Sequence, residues 1–325
     1  MLKAKPFIKW VGGKSQLIEQ LEAQLPADFD NWKNVTYIEP FVGGGAMLFY
    51  MLQRYPHIRR AIINDINPDL CTCYRTVRDM PEQLIKALYE VERTYLSLKT
   101  EEDRKSYFMS VREHYNEKKL NAIENTTLFF FLNRTCFNGL YRVNKKGLFN
   151  VPFGKYANPT ICDPGTIRKD SELLQQVEIL NEDFEVTFDY AHGNTLFYFD
   201  PPYRPLSNTS SFNDYTKEAF NDDAQIRLKE YCDKINDAGY KFMLSNSDCK
   251  GKNKEDIFFD ELYSSYQIER LVASRSINSN PNKRGKLTEI LVHNYLNTKA
   301  KAFEDNSIIS LGNKKRECTC SYGLI

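Results

Sequence analysis

The chain contains 325 residues, of which 42% are hydrophobic and 27% are charged, and its net charge is +1. These values are ordinary for a globular protein and allow one large or two modest domains. No apolar run approaches the length of a membrane span, and the first residues lack the apolar segment of a signal peptide, so we expect a cytoplasmic protein. Eight cysteines without a Cys-x-x-Cys pair, beside four histidines, argue against a metal site and predict reduced thiols.

The N-terminal segment contains a glycine turn within Pro6-Phe-Ile-Lys9-Trp10-Val-Gly12-Gly13-Lys14. It lacks the Gly-x-x-x-x spacing that precedes Gly-Lys in nucleoside triphosphate loops. Trp10 could stack near a cofactor, and Lys14 could reach a carboxylate or a base. A buried tryptophan and a solvated lysine are the alternative.

A strand, a second glycine turn, a helix and another strand follow, at residues 35–41, 42–45, 46–53 and 60–65. Glycines let the backbone approach a ligand closely, and the helix N-terminus beyond them offers free N–H groups. Asp65 lies about twenty residues after the turn, the spacing at which a carboxylate meets the hydroxyls of a cofactor ribose. Gly43-x-Gly45 lacks the third glycine of the dinucleotide fingerprint. The pattern therefore argues against NAD and favours an adenosyl cofactor without a pyrophosphate, such as S-adenosylmethionine.

The next part of the chain combines a helical pattern with a basic segment. Residues 80–131 have helical periodicity, and residues 125–162 contain no Asp or Glu. Aromatic residues alternate there with five basic residues, Arg134, Arg142, Lys145, Lys146 and Lys155. A second acid-free stretch, residues 270–288, holds Arg275, Lys283, Arg284 and Lys286. Together they predict a positive face for phosphates, and two solvated loops are the alternative.

The most informative motif is an apolar strand, residues 196–199, that ends in Asp200-Pro201-Pro202-Tyr203. Each proline lacks an N–H and fixes its φ, so the turn is stiff and its carbonyls are left to accept hydrogen bonds. Asp200 adds an acceptor, and Tyr203 adds a flat face. These groups suit a planar ring with an exocyclic amine, as methylation of a nucleobase amino group requires. A plain strand-ending turn is the alternative.

The motifs together predict a doubly wound α/β domain built from residues 1–70 and 163–298. Further strands are expected at residues 241–244 and 290–293. A mostly helical target-recognition insert would occupy residues 71–162. Residues 299–325, with Cys318-x-Cys320, form a C-terminal tail whose pattern indicates no chemistry.

In their chain order, these motifs resemble those of the Dam-type DNA adenine-N6 methyltransferases, the alpha group of the D12 class. The resemblance extends from about residue 6 to residue 295 and is carried by Phe7-Ile-Lys-Trp-Val-Gly-Gly-Lys, Glu39-Pro-Phe-Val-Gly-Gly-Gly, Asn64-Asp-Ile-Asn, residues 133–155 and Asp-Pro-Pro-Tyr. It implies a Rossmann-like fold and transfer of a methyl group from S-adenosylmethionine to adenine N6 in duplex DNA. It further implies the site GATC, base flipping, and no metal. A bacterial, nucleoid-associated or phage-encoded enzyme is expected, with a restriction endonuclease of the same system as a candidate partner.

The resemblance also implies roles for single residues. Asp200, Pro201, Pro202 and Tyr203 match the family's catalytic turn. Cofactor contacts are implied for Trp10, Lys14, Glu39, Phe41, Gly43, Gly45, Asp65 and Asp200. DNA contacts are implied for Lys9, Arg134, Phe137, Asn138, Leu140, Arg142, Pro152 and Lys155. Phe137 departs from the family, which places a tyrosine there as a wedge beside the extruded adenine; phenylalanine keeps the wedge and loses the hydroxyl.

Three other functions stay open from the sequence. A cytosine-N4 DNA or RNA adenine methyltransferase would share the cofactor motifs and differ in the insert. A non-catalytic DNA-binding protein would have a degraded Asp-Pro-Pro-Tyr turn, which is intact here. A nucleotide-dependent oxidoreductase would require the missing third glycine.

Overall fold

The structure is a computed structural model that describes residues 3–204, 220–250, 253–273 and 287–297. Within these residues one sheet contains the strands β1 (Val35–Glu39), β2 (Ile58–Asn64), β3 (Val177–Leu180), β4 (Thr195–Phe199), β5 (Lys241–Ser247), β6 (Gln267–Ala273) and β7 (Leu287–His293). Their spatial order is β3-β2-β1-β4-β5-β7-β6. All pairs among β1 to β5 are parallel, whereas β7 runs antiparallel to β5 and β6. The predicted doubly wound α/β fold is confirmed.

Helices cover both faces of the sheet. They are α1 (Ile18–Ala23), α2 (Ala46–Arg54), α3 (Pro68–Asp79), α4 (Pro81–Ser97), α5 (Glu101–Asn116), α6 (Ala122–Thr135), α7 (Pro164–Leu174), α8 (Asp222–Asp237) and α9 (Phe258–Leu262). Every residue of β1 and β4 is buried, as expected for central parallel strands. Successive side chains point to opposite faces, so Tyr37 joins a core with α1 to α7 and Ile38 joins a core with α8 and α9.

The sheet contains a switch point between β1 and β4. From β1 the chain continues outward to β2 and β3, and from β4 it continues the other way to β5. In open α/β sheets, ligands bind in the crevice beyond the carboxyl ends of the two strands at such a point. Glu39 ends β1 and Asp200 follows β4, so both acidic residues lie at this crevice.

The helical pattern over residues 80–131 corresponds to α4, α5 and most of α6. Helix α6 begins with a capping box, in which the Asn121 side chain accepts from the Glu124 amide and the Glu124 side chain accepts from the Asn121 amide. The division of the chain at residues 70/71 and 162/163 into catalytic and recognition domains remains a prediction, and α3 crosses the first of these boundaries.

After α6 the chain forms the segment that we call the recognition loop, residues 136–156. A short 3-10 helix spans Phe137–Gly139, and isolated bridges join Cys136 to Phe153 and Val143 to Phe149. The loop is therefore closed on itself by antiparallel contacts. Arg275, Lys283, Arg284 and Lys286 of the second basic stretch, and the predicted tail 299–325, lie outside the described residues.

No helix in the described parts of the chain combines the length and apolar character needed to cross a membrane.

Candidate active site

The turn Asp200–Tyr203 lies at the carboxyl end of β4, beside a buried lysine from the N-terminal segment. Lys14 is 3% exposed, and its ammonium lies 3.0 Å from Asp200 Oδ1 and 2.8 Å from Glu289 Oε2. It also donates to the Tyr203 hydroxyl and lies 4.6 Å from the centre of the Tyr203 ring. Tyr203 in turn donates to Glu289 Oε1 at 2.9 Å. Two carboxylates and one phenol therefore surround a single buried cation.

The charges of this cluster oppose each other at Asp200. Burial raises the pKa of Asp200 to about 6, Lys14 lowers this pKa, and Glu289 raises it. For Lys14, burial acts to lower the pKa, but Asp200, Tyr203 and Glu289 together raise it above its usual value. Lys14 is thus a fixed positive charge, while Asp200 titrates close to neutrality.

Glu39, at the end of β1, is also buried near this cluster. It accepts a hydrogen bond from the Tyr37 hydroxyl at 2.6 Å. Burial raises the pKa of Glu39 to about 8, and the nearby Asp200 contributes to the increase. Glu39 can therefore hold a proton at neutral pH.

Polar side chains of α8 and β5 hold the Asp200–Tyr203 turn in place. The fully buried Gln225 of α8 donates to the Pro202 carbonyl at 3.2 Å and accepts from Asn246 of β5 at 3.2 Å. Arg204, the next residue after the turn, pairs with Asp222 at 2.6 Å and Asp256 at 2.9 Å. These contacts hold the Pro202 carbonyl and the residue after the turn in fixed positions.

The glycine turn after β1 contacts Trp10 and Tyr74. Gly43 and Gly45 have φ values of +48° and +71°, which glycine adopts without a Cβ penalty. A Cβ on Gly43 would lie 2.8 Å from Trp10 Cδ1, and one on Gly45 would lie 2.5 Å from the Tyr74 hydroxyl. Trp10 also stacks on Tyr141 with ring centres 5.5 Å apart. Positions 43 and 45 therefore accept only glycine as long as Trp10 and Tyr74 pack on the turn.

Asp65, directly after β2, binds the main chain of the same glycine turn. Its Oδ2 accepts from the Gly43 amide at 3.1 Å and its Oδ1 accepts from the Asn67 amide at 2.9 Å. Burial raises the pKa of Asp65 to about 6, although these two hydrogen bonds lower it. Each oxygen can accept more than one hydrogen bond, so binding to the turn leaves acceptor capacity for a ribose. Phe41, another predicted cofactor contact, packs on Phe184, with ring centres 5.3 Å apart.

Three of the predicted DNA contacts lie together on the surface of the recognition loop. Phe137 is 52% exposed, and Asn138 is exposed with a φ of +56°. The Phe137 amide donates to the carbonyl of the exposed Pro152 at 2.8 Å. Leu140 is half-buried and packs against the core. An exposed aromatic ring beside an exposed amide is suited to contact with bases.

The basic residues predicted to contact DNA differ in which protein groups their side chains already bind. Arg142 is half-buried, and its Nε donates to Asn150 Oδ1 at 2.6 Å, which orients the guanidinium. The Lys9 ammonium lies 5.3 Å from the centre of the Tyr156 ring. Lys155 pairs with Glu101 at 2.8 Å on the surface. Arg134 donates to the Phe7 carbonyl at 2.7 Å, and burial lowers its pKa, so in this structure it supports the N-terminal segment.

Three residues that contact the two turns, Glu289, Tyr74 and Gln225, were not predicted from the sequence. Glu289 carries a recognisable signal, because it is an acid inside the apolar run Leu287-Thr-Glu-Ile-Leu-Val. Tyr74 and Gln225 lie on helices whose other buried residues are mostly apolar, so their contacts depend on the fold. In the described residues, no group of three or more His, Cys, Asp or Glu side chains could hold a metal ion.

Comparison with known proteins identifies relatives over most of the chain. Residues 10–277 match the family model of the D12 class N6 adenine-specific DNA methyltransferases. The chain is 46% identical over 297 residues to the type II methyltransferase M.MjaIII of Methanocaldococcus jannaschii, covering 90% of this chain and 100% of the relative. It is 37% identical to the type II methyltransferase M1.LlaDCHI of Lactococcus lactis subsp. cremoris, over 91% of this chain and 97% of the relative. It is 30% identical to the DNA adenine methylase of Escherichia coli K12, over 90% and 95%.

Proposed function

The chain belongs to the D12 class of N6 adenine-specific DNA methyltransferases, and from this membership we propose that it methylates adenine within GATC in duplex DNA, with S-adenosylmethionine as the methyl donor. The observation that carries the proposal is the Asp200–Tyr203 turn, placed at the switch point of the sheet with its Asp200 carboxylate beside Lys14.

The chemistry follows from the electronic structure of adenine. The N6 lone pair is delocalised into the ring, so this nitrogen is a poor nucleophile. Asp200 and the Pro201 carbonyl would accept the two N6–H hydrogens and favour a pyramidal nitrogen with a localised lone pair. Gln225 holds the turn through the Pro202 carbonyl, so the two acceptors stay in place as the base arrives. Positioning and electrostatics then supply the catalysis.

The glycine turn and its neighbours fit the donor of the methyl group. Glycine at positions 43 and 45 lets Trp10 and Tyr74 pack directly on the turn, so the Trp10 ring would stand beside a cofactor bound there. Asp65 would bind the ribose hydroxyls, and Trp10 and Phe41 would supply apolar contacts. Bound S-adenosylmethionine supplies an electrophilic methyl group.

Flipping of the target base is supported by the exposed ring of Phe137. Extrusion of a base costs a few kcal/mol. Insertion of Phe137 into the gap and stacking of the adenine on Tyr203 would offset that cost. The guanidinium of Arg142, oriented by Asn150, could pair with O6 and N7 of a guanine in the major groove. The site GATC is proposed on the resemblance of residues 138–152 to the base-reading segment of the Dam-type enzymes.

We further propose that methylation by this chain protects its site from a restriction endonuclease of the same system. Support comes from the two relatives at 46% and 37% identity, which are named type II methyltransferases. An enzyme with this substrate would work in the cytoplasm, where the DNA of a bacterium, archaeon or phage is found.

The experiment that tests the proposal is methylation of mixed-sequence duplex DNA with radiolabelled S-adenosylmethionine, followed by nucleoside analysis and mapping of the modified sites. We expect all of the label in N6-methyldeoxyadenosine at GATC. Label in N4-methyldeoxycytidine would overturn the reaction, whereas labelled adenine in another sequence would overturn only the GATC assignment.

A further inference from the structure

The N-terminal segment is held in place through its main chain by side chains of other elements. We call residues 4–14 the N-terminal strap. Gln53 binds both the amide and the carbonyl of Ala4, at 2.9 and 3.0 Å. Asn133 binds both the amide and the carbonyl of Lys9, each at 2.8 Å. Between these two residues, Asp170 accepts from the Lys5 amide at 3.0 Å and Arg134 donates to the Phe7 carbonyl at 2.7 Å. Side chains thus take the place of a partner strand along the strap.

Asn133 differs from Gln53 in its third hydrogen bond. Its Nδ2 also donates to the carbonyl of Gly139 in the recognition loop at 3.0 Å. Asn133 is 2% exposed, so this amide joins the strap to the loop without competition from water. The loop lies directly on the strap here, because a Cβ on Gly139 would collide with the Lys9 side chain. Gln53 instead donates its third hydrogen bond to Phe49 of its own helix, at 2.7 Å.

The two segments that meet at Asn133 carry different parts of the proposed reaction. On the strap, Lys9 is followed by Trp10, which packs on the glycine turn, and by Lys14, which binds Asp200. On the loop, Gly139 directly follows the exposed Phe137 and Asn138. One buried amide therefore connects the surface proposed to read DNA to the groups around the reacting amine.

We propose that Asn133 is a positioning residue that makes methyl transfer depend on correct engagement of the recognition loop. With Asn133 in place, contact of the loop with its target fixes the strap, and with it Trp10 and Lys14, in the reactive arrangement. Without it, the loop still binds DNA, but it is joined to the strap by the ring contacts of Trp10 with Tyr141 and of Lys9 with Tyr156, so its position controls that of the strap less closely. Selectivity exerted in the rate of transfer is then reduced, while selectivity exerted in binding stays. The inference rests on the proposed function, because it assigns sequence selection to the recognition loop.

The test compares Asn133→Leu with the matched control Gln53→Met. Each substitution keeps the approximate side-chain shape and removes three hydrogen bonds to main-chain groups, but only the first removes the hydrogen bonds that join the loop to the strap. The rate of methyl transfer under single turnover, the DNA dissociation constant and the melting temperature are measured on the mapped target and on its single-base variants.

For Asn133→Leu we expect the transfer rate on the target to fall about tenfold or more, since displacement of about 1 Å at a distance from the chemistry has effects of this size. The ratio of transfer rates between the target and the single-base variants should fall about tenfold, the scale of couplings carried by one contact. DNA affinity should stay within about threefold of the wild-type value. Gln53→Met should lose melting temperature while it keeps the wild-type ratio.

Equal rate ratios in Asn133→Leu, Gln53→Met and the wild type would overturn the proposal. If Asn133→Leu does not fold, Asn133→Ala takes its place, because it removes the same three hydrogen bonds and, as a smaller side chain, leaves room for water at the Lys9 and Gly139 main-chain groups. Its rate ratio is expected to fall in the same way, and an unchanged ratio would equally overturn the proposal. Failure of the proposed function is seen separately, as the absence of N6-methyladenine in wild-type reactions.

Discussion

At the scale of single residues, Asp200 has charged neighbours that act on its pKa in opposite directions. Burial raises this pKa to about 6, Lys14 lowers it and Glu289 raises it. The ionised carboxylate is the stronger acceptor for an N–H of the substrate amine, whereas protonation turns one of its oxygens into an O–H donor. The ionisation of Asp200 should therefore be visible in the pH dependence of methyl transfer.

We expect the rate of methyl transfer to fall as the pH decreases through about 6, because the Asp200 carboxylate then gains a proton. Lys14→Met removes the cation that lowers the pKa of Asp200, so the acid limb of the profile should move to higher pH. Glu289→Gln removes the anion that raises it, so the limb should move to lower pH. Rates under single turnover at pH 5 to 9 measure both shifts.

The two variants control each other, because both remove a charge from the same cluster and a general loss of activity would not separate them. Movement of the acid limb in the same direction in both variants would contradict the assignment of this limb to Asp200.

A second prediction at this scale concerns Asp65. We expect Asp65→Ala to weaken S-adenosylmethionine binding by about 1.5–3 kcal/mol, the range for hydrogen bonds to a charged group. The site of DNA modification should not change, because Asp65 binds the amides of Gly43 and Asn67 and not the exposed residues proposed to contact bases. Calorimetric titration with the cofactor measures the affinity.

Asp65 also binds the amides of Gly43 and Asn67, so a control is needed for damage to the turn. Tyr74→Phe removes a hydrogen bond to the Gly43 carbonyl from the same turn and leaves Asp65 intact. Cofactor affinity equal to wild type in Asp65→Ala would refute the ribose contact. An equal loss in both variants would assign the effect to the turn.

At the scale of elements, the sequence predicts best where local patterns are strong. β1, the glycine turn, α2 and β2 are each marked by an apolar run or by glycines, and they lie within two residues of the expected positions. The apolar run before Asp200 predicts β4 equally clearly, and every residue of this strand is buried. These elements position the glycine turn and the Asp200–Tyr203 turn, so the placement of both turns at one edge of the sheet could be predicted from the sequence.

Two strands, β3 and β6, were not predicted, and their sequences show why. β3 has four residues and includes Glu178, so it lacks an apolar run. β6 is the last strand of the sheet and contains Glu269 and Arg270 side by side. Charged residues are typical of edge strands, which leave one row of N–H and C=O groups unpaired. The edges of the sheet are therefore specified by contacts with neighbouring strands more than by local pattern.

The recognition loop allows a prediction that separates base reading from phosphate binding. Arg142→Ala should cost about 1–3 kcal/mol on the target and relax selection at one base pair, because its guanidinium is oriented by Asn150 for a single partner. Lys146→Ala is the matched control in the same loop, as Lys146 is exposed. It should weaken binding to all sequences alike and reduce the salt slope by about one.

Both variants are assayed by DNA binding on GATC and on each single-base change, at two salt concentrations. A uniform loss across sequences for Arg142→Ala would reassign Arg142 to the DNA backbone, and the GATC proposal would then depend on resemblance alone.

At the scale of the whole molecule, the site depends on residues that are far apart in the chain. Lys14 and Glu289 are separated by 275 positions and meet at 2.8 Å. The motif at residues 6–14 identified Lys14 as a candidate, but its partners depend on the order of the strands. Glu289 lies on β7, which pairs with β5. Asp200 directly follows β4, which lies between β1 and β5. No local pattern in the sequence encodes these neighbours. The acid within an apolar run marks Glu289 as unusual, but its pairing with Lys14 and the contact of Gln225 with the Pro202 carbonyl depend on the fold.

The proposal that the Asp200–Tyr203 turn is the catalytic centre is tested by methylation of duplex DNA with labelled S-adenosylmethionine, using wild-type protein and Asp200→Ala. We predict N6-methyladenine with the wild type and none with Asp200→Ala, while sequence-selective DNA binding is largely kept, because the phosphate and groove contacts are assigned to the recognition loop. Methyl transfer by Asp200→Ala at a rate near that of the wild type would contradict the claim that the Asp200–Tyr203 turn is the catalytic centre.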